Sequence, residues 1–214
     1  MTTVYGVQFS PFVRKVLLVL QVKGVPYSNP QVNPMDPPKD FERVSPLGKI
    51  PAFEDDKVLL ADSAVICDYL EQRYPENPLC PSDLVERARV KWLEKYADTE
   101  VVSALGPIFF ERVLKPLVLQ QMPDEEKISN IMSQSIPGIF DYLNNQLHGK
   151  KKFLHGNELT IADIATTTHF INLSYSKIEV DATKWPNLAS YLKQMTELPL
   201  FKSFIESDQL LYAE

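Results

Sequence analysis

Two groups of residues in this chain have the types and spacing to do chemistry. The first is Phe9-Ser10-Pro11. Serine is a preferred helix N-cap and proline a preferred first helical residue, so the pattern predicts a helix starting at Ser10. A hydroxyl beside the partial positive charge of a helix N-terminus favours an anion. For a thiol, which ordinarily ionises near ~8.5, the gain is about 1–2 pKa units, or about 1.4–2.7 kcal/mol. A thiolate held there is a nucleophile. Ser10 also has a simpler reading, as an N-cap whose oxygen accepts from helix amides and whose proton does nothing useful.

The second group runs from Leu47-Gly48-Lys49-Ile50-Pro51-Ala52-Phe53 to Val58-Leu59-Leu60-Ala61-Asp62-Ser63. Pro51 cannot donate to a sheet ladder and pushes Ile50 out of the helical region, which leaves Ile50 extended with its amide and carbonyl open to a partner. Glu54-Asp55-Asp56-Lys57 reads as the turn of a hairpin over Ala52 to Ala61. Asp62-Ser63 falls where that hairpin ends and the spacing of Val65, Ile66, Tyr69 and Leu70 begins a helix. Unpaired amides at a helix start attract a carboxylate, so the stretch can hold an extended peptide that carries one. An ordinary edge hairpin before a capped helix is the alternative.

The surrounding pattern must position these groups. Thr2 to Val7, with Tyr5 in its middle, reads as a first strand. The helix after Ser10 carries the stripe Val13, Val16, Leu17 and Leu20, with Lys23 in its last turn and Gly24 as its stop. An extended segment follows at Val25-Pro26-Tyr27, then a loop at Asn33 to Pro38 and a short helix near Asp40 to Val44. Strand, helix, strand, short helix, hairpin and helix make one α/β layer with a mixed sheet, residues 1–75. Residues 76–82, rich in proline, form a linker, and residues 83–214 lose nearly every strand signal. There, helical spacing runs from Asp83 to a kink or break at Gly106-Pro107. A helix opened by Asp124-Glu125-Glu126 bends at Pro137, Thr160-Ile161-Ala162-Asp163 forms a capping box, and a last helix extends from Trp185-Pro186 to Pro199. The sequence does not place the tail from Asp208 to Glu214.

Pro46-Leu47-Gly48-Lys49-Ile50-Pro51-Ala52, the Asp62-Ser63 pair and Gly156 to Asp163, in that order, resemble the glutathione S-transferase family, and the pattern is matched from Thr2 to about Phe204. The resemblance is to a serine-type, bacterial or theta-like member. It implies a thioredoxin-like N-terminal domain, an all-helical C-terminal domain, a homodimer, and glutathione as substrate. It also implies that Pro51 is cis, that Ile50 pairs main chain to main chain with the cysteinyl unit, and that Asp62 and Ser63 hold the γ-glutamyl end. Ser10 resembles the serine that activates the thiol, at the position where other classes carry Cys. Tyr5 is the alternative hydroxyl, since some classes use a first-strand tyrosine.

Lys49 resembles a contact to the glycyl carboxylate, or is a solvated lysine. The chain departs from the pattern at Met35-Asp36-Pro37-Pro38, where only Lys39 is basic. Asp98 resembles an acidic residue sent across a dimer interface to the γ-glutamyl amine, or is a solvent-facing helix position. The implied activity is conjugation of the thiolate to small hydrophobic electrophiles, with peroxide reduction as a side activity. Phe9, Phe12, Tyr96, Phe109 and Phe110 are candidates to line a pocket for the electrophile between the domains. A non-enzymatic interaction protein of the stringent starvation or translation-factor type is the competing reading. The isomerase branch is disfavoured because no Ser-Ser-Cys-type motif stands near Ser10.

Composition excludes other classes. With 22 basic and 28 acidic residues, a net charge of -6 and no basic block denser than Lys150-Lys151-Lys152, the composition speaks against the extended positive face that phosphate neutralisation needs and leaves room only for a local basic site. Nucleic acid is not expected as a partner. No signal peptide is read, and the aliphatic run Val16 to Leu20 is far short of the ~20 residues that span a bilayer, so a cytoplasmic protein without a membrane partner is expected. Cys67 and Cys80 are too few for a disulfide framework. With Ser10 and Val13 there is no Cys-x-x-Cys for thiol exchange. His148, His155 and His169 lack metal-ligand spacing, and no metal site is expected.

Overall fold

The structure, a computed structural model, describes residues 1–149 and 151–212, the side chains of 209–212 excepted; Lys150 of the basic triplet and the end of the tail lie outside the described residues. The chain divides into two compact units, one of residues 1–82 with 200–214 and one of residues 83–199.

The first unit contains β1 (Thr2–Tyr5), α1 (Pro11–Val22), β2 (Tyr27–Ser28), a 3₁₀ turn (Phe41–Arg43), β3 (Ala52–Glu54), β4 (Leu59–Leu60) and α2 (Ser63–Arg73). Its sheet is mixed, in the order β2-β1-β3-β4. β1 runs parallel to β2 and antiparallel to β3, and β3 and β4 form the hairpin. The fold is thioredoxin-like. β1 stops at Tyr5, short of Val7, because Gly6 turns the chain at φ +140°. A Cβ there would lie 2.6 Å from Val13 Cγ2 and 2.9 Å from Ile50 Cβ, so only glycine allows α1 and Ile50 to approach this closely.

Val4, Val16, Leu17, Leu20, Phe53, Ile66 and Leu70 are buried between the sheet and its helices. A second cluster of Val32, Phe41, Val44 and Ala52 backs Tyr5 and Ile50. The linker is bonded down within the first unit. Leu79 N–H and Cys80 N–H each donate to Glu71 at 2.9 Å. Buried Lys23 pairs with the same carboxylate at 2.6 Å and donates to the carbonyls of Glu76 and Asn77. Lys23 thus acts as a C-cap and a tether, not merely as a last-turn charge.

The second unit is helical. α3 (Leu84–Tyr96), a π turn (Ala97–Val101), α4 (Val102–Phe109), a second π turn (Phe110–Leu114) and α5 (Lys115–Leu119) follow one another without a break. The helix continues through Pro107, which excludes the break among the two expectations, a kink or a break. One proline forfeits a single backbone bond, and buried Leu105, Ile108 and Phe109 hold the turn by packing. Where a bend was expected at Pro137, the chain splits into α6 (Glu125–Gln134) and α7 (Ile136–Gln146), with the proline in the first turn of α7.

The capping box opens α8 (Ile161–Tyr175), a helix buried on nearly every side. After α9 (Pro186–Glu197), Pro199 starts α10 (Pro199–Tyr212), a helix the sequence pattern did not announce and which from Leu200 on belongs to the first unit. Proline ends one helix and is equally suited to begin the next.

Candidate active site

The sheet register brings the chemically equipped residues to one end of the sheet. Tyr5, the last residue of β1, lies opposite Ala52, the first of β3, and Phe53 lies opposite Leu60, the last of β4. The chain leaving β1 toward Ser10, the chain entering β3 through Ile50-Pro51, and the chain leaving β4 toward Asp62-Ser63 therefore all sit at the same end of the sheet. The N-termini of α1 and α2 start there as well.

Ser10 is the N-cap of α1, in extended backbone, and its Oγ accepts from Val13 N–H at 3.4 Å. The bond is long and uses Oγ only as an acceptor, so the hydroxyl proton is available to a ligand. Ser10 N–H donates to Val7 C=O at 3.1 Å and closes the preceding turn. Tyr5 is occupied elsewhere: its hydroxyl donates to Glu54 Oε2 at 2.9 Å, and Arg43 pairs with the same carboxylate at 3.2 Å. Burial, and then the neighbouring Glu54, push the Tyr5 phenol above its ordinary value, while the Arg43 hydrogen bond holds Glu54 below the usual carboxylate range. Of the two hydroxyls, Ser10 is the one without a side-chain acceptor of its own among the described residues.

The Ile50–Pro51 bond is cis. Ile50 lies beyond the last rung between β1 and β3, so its backbone N–H and C=O stand outside the ladder. The loop that delivers it has a support the sequence did not flag. Fully buried Ser45 donates its hydroxyl to Lys49 C=O at 2.6 Å, and its own carbonyl accepts from Gly48 N–H at 2.9 Å, with Gly48 at φ +62°. The side chain of Lys49 is exposed.

Asp62 caps α2, its Oδ1 accepting from Ala64 N–H at 2.9 Å and Val65 N–H at 3.0 Å, and buried Ser63 is the first helical residue. A carboxylate at this cap competes with any incoming anion for the helix amides, whereas an ammonium group would find it attractive.

Arg14 lies one turn along α1 from Ser10, where a free guanidinium would add positive potential. Its guanidinium instead pairs with Asp208 at 2.7 Å, both side chains fully buried, so its charge is compensated. Asp208 lies on α10, nearly two hundred residues away along the chain, and no local signal could have indicated the pairing. Of the aromatic candidates, Phe9 and Phe12 are half-buried, Phe109 is core at 6% exposure, and Tyr96 stacks on Tyr142 at 4.4 Å.

In the second unit, the Asp98 side chain is 9% exposed in the first π turn, 4.0 Å from His169 of α8. It is therefore not the solvent-facing position that was one of its two expectations. His155 pairs with Glu86 at 2.6 Å. Among the described residues no three His, Cys, Asp or Glu side chains converge as a metal site, and no helix is long and apolar enough to cross a membrane.

A family model for the glutathione S-transferase N-terminal domain matches residues 4–78, and one for the glutathione S-transferase C-terminal domain matches residues 109–208. The chain belongs to the glutathione S-transferase family. A glutathione S-transferase of Triticum aestivum is 29% identical over 206 residues, 96% of this chain and 93% of that one. Glutathione S-transferase Z2 of Arabidopsis thaliana is 27% identical over 96% of this chain and 91% of its own. Among solved structures, a glutathione S-transferase from Rhodospirillum rubrum superposes with a TM-score of 0.84 at 26% identity, covering 95% of this chain and 91% of the other. The mixed four-stranded sheet and the helical second unit are the architecture of this family.

Proposed function

We propose that this glutathione S-transferase binds glutathione at one end of its sheet and transfers its thiolate to small hydrophobic electrophiles. The observation that carries the reading is the convergence of two helix N-termini and an unladdered backbone segment at one end of the sheet. In this reading Ser10 donates to the sulfur, and the start of α1 adds a positive field, so the thiolate fraction rises at neutral pH. Ile50 pairs with the cysteinyl backbone beside Pro51, and the γ-glutamyl group meets Asp62 and Ser63, its ammonium at the Asp62 carboxylate and its own carboxylate at Ser63, since Asp62 already holds the amides of Ala64 and Val65. Lys49 faces the glycyl carboxylate.

Attack by the thiolate on an electrophilic carbon forms the carbon–sulfur bond and expels the leaving group. The same thiolate supports hydroperoxide reduction as a secondary activity. The reading includes a homodimer working in the cytoplasm. α3 exposes Leu84 at 81%, Val85 at 58% and Trp92 at 56%, an apolar face suited to a second copy. The reading keeps Asp98 as a γ-glutamyl contact supplied by that second copy, which requires its carboxylate to turn outward from beside His169.

Retention on immobilised glutathione, followed by conjugation of a generic aryl halide, tests the proposal. Binding and turnover are expected. No retention, with no thermal shift in millimolar glutathione, would instead favour a non-enzymatic interaction protein built on the same fold.

A further inference from the structure

Ser10 is held from the far end of the chain. Val7, Gln8, Phe9 and Ser10 form the tight turn closed by Ser10 N–H and Val7 C=O, and the side chain at its second position is Gln8. Gln8 Nε2 donates to Asp208 Oδ1 and to Ser207 Oγ, both at 2.7 Å. Both amide hydrogens are thereby used. Ser207 passes its own proton to Phe204 C=O at 2.9 Å, which leaves its oxygen free to accept. The second oxygen of Asp208 takes Arg14 Nη2 at 2.7 Å in the fully buried pair. Asp208 thus grips the chain two residues before Ser10 and four residues after it.

We infer that Gln8 and Asp208 are positioning residues for Ser10, fixing the direction of its hydroxyl through the turn that carries it. The inference rests on the serine reading above. Among the described residues the one bond that orients Oγ locally is the 3.4 Å cap to Val13, which is weak beside the 2.7 Å bonds to a carboxylate. A displacement of ~1 Å at a reacting group can cost about 100-fold in rate. The clamp from α10 removes that freedom, and neither Gln8 nor Asp208 needs to touch glutathione.

Gln8→Met keeps the length of the side chain, removes both donors and leaves the Arg14–Asp208 pair intact. Conjugation kinetics and the ultraviolet absorbance of bound thiolate are measured for the wild type, Gln8→Met, Ser10→Ala and the double variant. Gln8→Met is expected to lower kcat about tenfold, with KM for the aryl halide within about twofold, and to reduce the thiolate absorbance. Added to Ser10→Ala it is expected to change nothing further, because the two act through one group. Should Gln8→Met be insoluble, Ser207→Ala, which removes one acceptor, is expected to give the same pattern with about a threefold loss. A wild-type kcat, or an equal loss in the Ser10→Ala background, overturns the inference and leaves the serine mechanism standing. Full activity of Ser10→Ala is a separate result, which removes the serine reading and the inference with it.

Discussion

Removing the carboxylate of Asp163 should unfold the helical unit several degrees earlier. This side chain is fully buried at the start of α8. Its Oδ1 accepts from Leu154 N–H at 2.8 Å and Tyr191 O–H at 3.0 Å, and its Oδ2 from Thr160 N–H at 2.9 Å and Thr160 Oγ1 at 2.8 Å. In Asp163→Ala the threonine hydroxyl can rotate to another acceptor, while two backbone amides and one phenol are stranded. Each stranded donor costs about 1–3 kcal/mol, and because the three share one cavity the total is taken as about 3–5 kcal/mol. For a chain of this size about 1 kcal/mol moves Tm by about 2–4 °C, so a fall of about 6–20 °C is expected in thermal unfolding followed by circular dichroism. Asp163→Asn should fall less. Its amide oxygen can serve Leu154 and Tyr191, and only the Thr160 N–H then faces a donor.

The pH dependence has a definite sign. Burial raises the Asp163 carboxyl above its ordinary 3.8, against the pull of its four donors. Between 3.8 and that raised value the folded state holds the extra proton, so this group's contribution to stability declines as pH rises through the window. Asp163→Asn should abolish that component. A Tm change below about 2 °C for Asp163→Ala would refute the reasoning, since it would mean that water or rearrangement satisfies all three donors at no cost.

Two other results are expected. Ser10→Ala should lower kcat/KM for conjugation at least about tenfold, the loss of one charge-assisted hydrogen bond, whereas Tyr5→Phe should leave the rate unchanged because Tyr5 already donates to Glu54. The reverse outcome in steady-state kinetics would move the role to Tyr5. Glu111, almost fully buried, takes Lys115 at 2.7 Å and Lys127 at 2.9 Å, and these hydrogen bonds lower its carboxyl from 4.5 to about 2. A depressed carboxyl stabilises above its unfolded pKa and loses that contribution as pH falls through the folded one, so the Tm gap between wild type and Glu111→Gln should narrow from pH 4.5 to 2. A gap that is constant over this range would exclude the pairing as its source.

The sequence by itself determined the features that depend on neighbours a few positions apart. Ser10-Pro11, Asp62-Ser63 and Thr160 to Asp163 are helix starts because capping chemistry is complete within four residues. The hairpin from Ala52 to Ala61 follows from alternation and an acidic turn, and the family pattern gave the order of these pieces. Tertiary structure decided what joins distant segments. Register, not spacing, puts Ser10, Ile50 and Asp62 at one end of the sheet. Whether Pro107 breaks a helix, or Pro199 begins one, depends on the packing around it, because a proline fixes one dihedral and one missing bond and leaves the rest to its surroundings.

The compensation of Arg14 by Asp208, the tether of Gln8, the support from Ser45 and the burial of Asp98 were all invisible beforehand. An ion pair or hydrogen bond between residues far apart leaves no periodicity in the chain. It exists only because folding places two groups within about 3 Å and removes the water that would otherwise satisfy them.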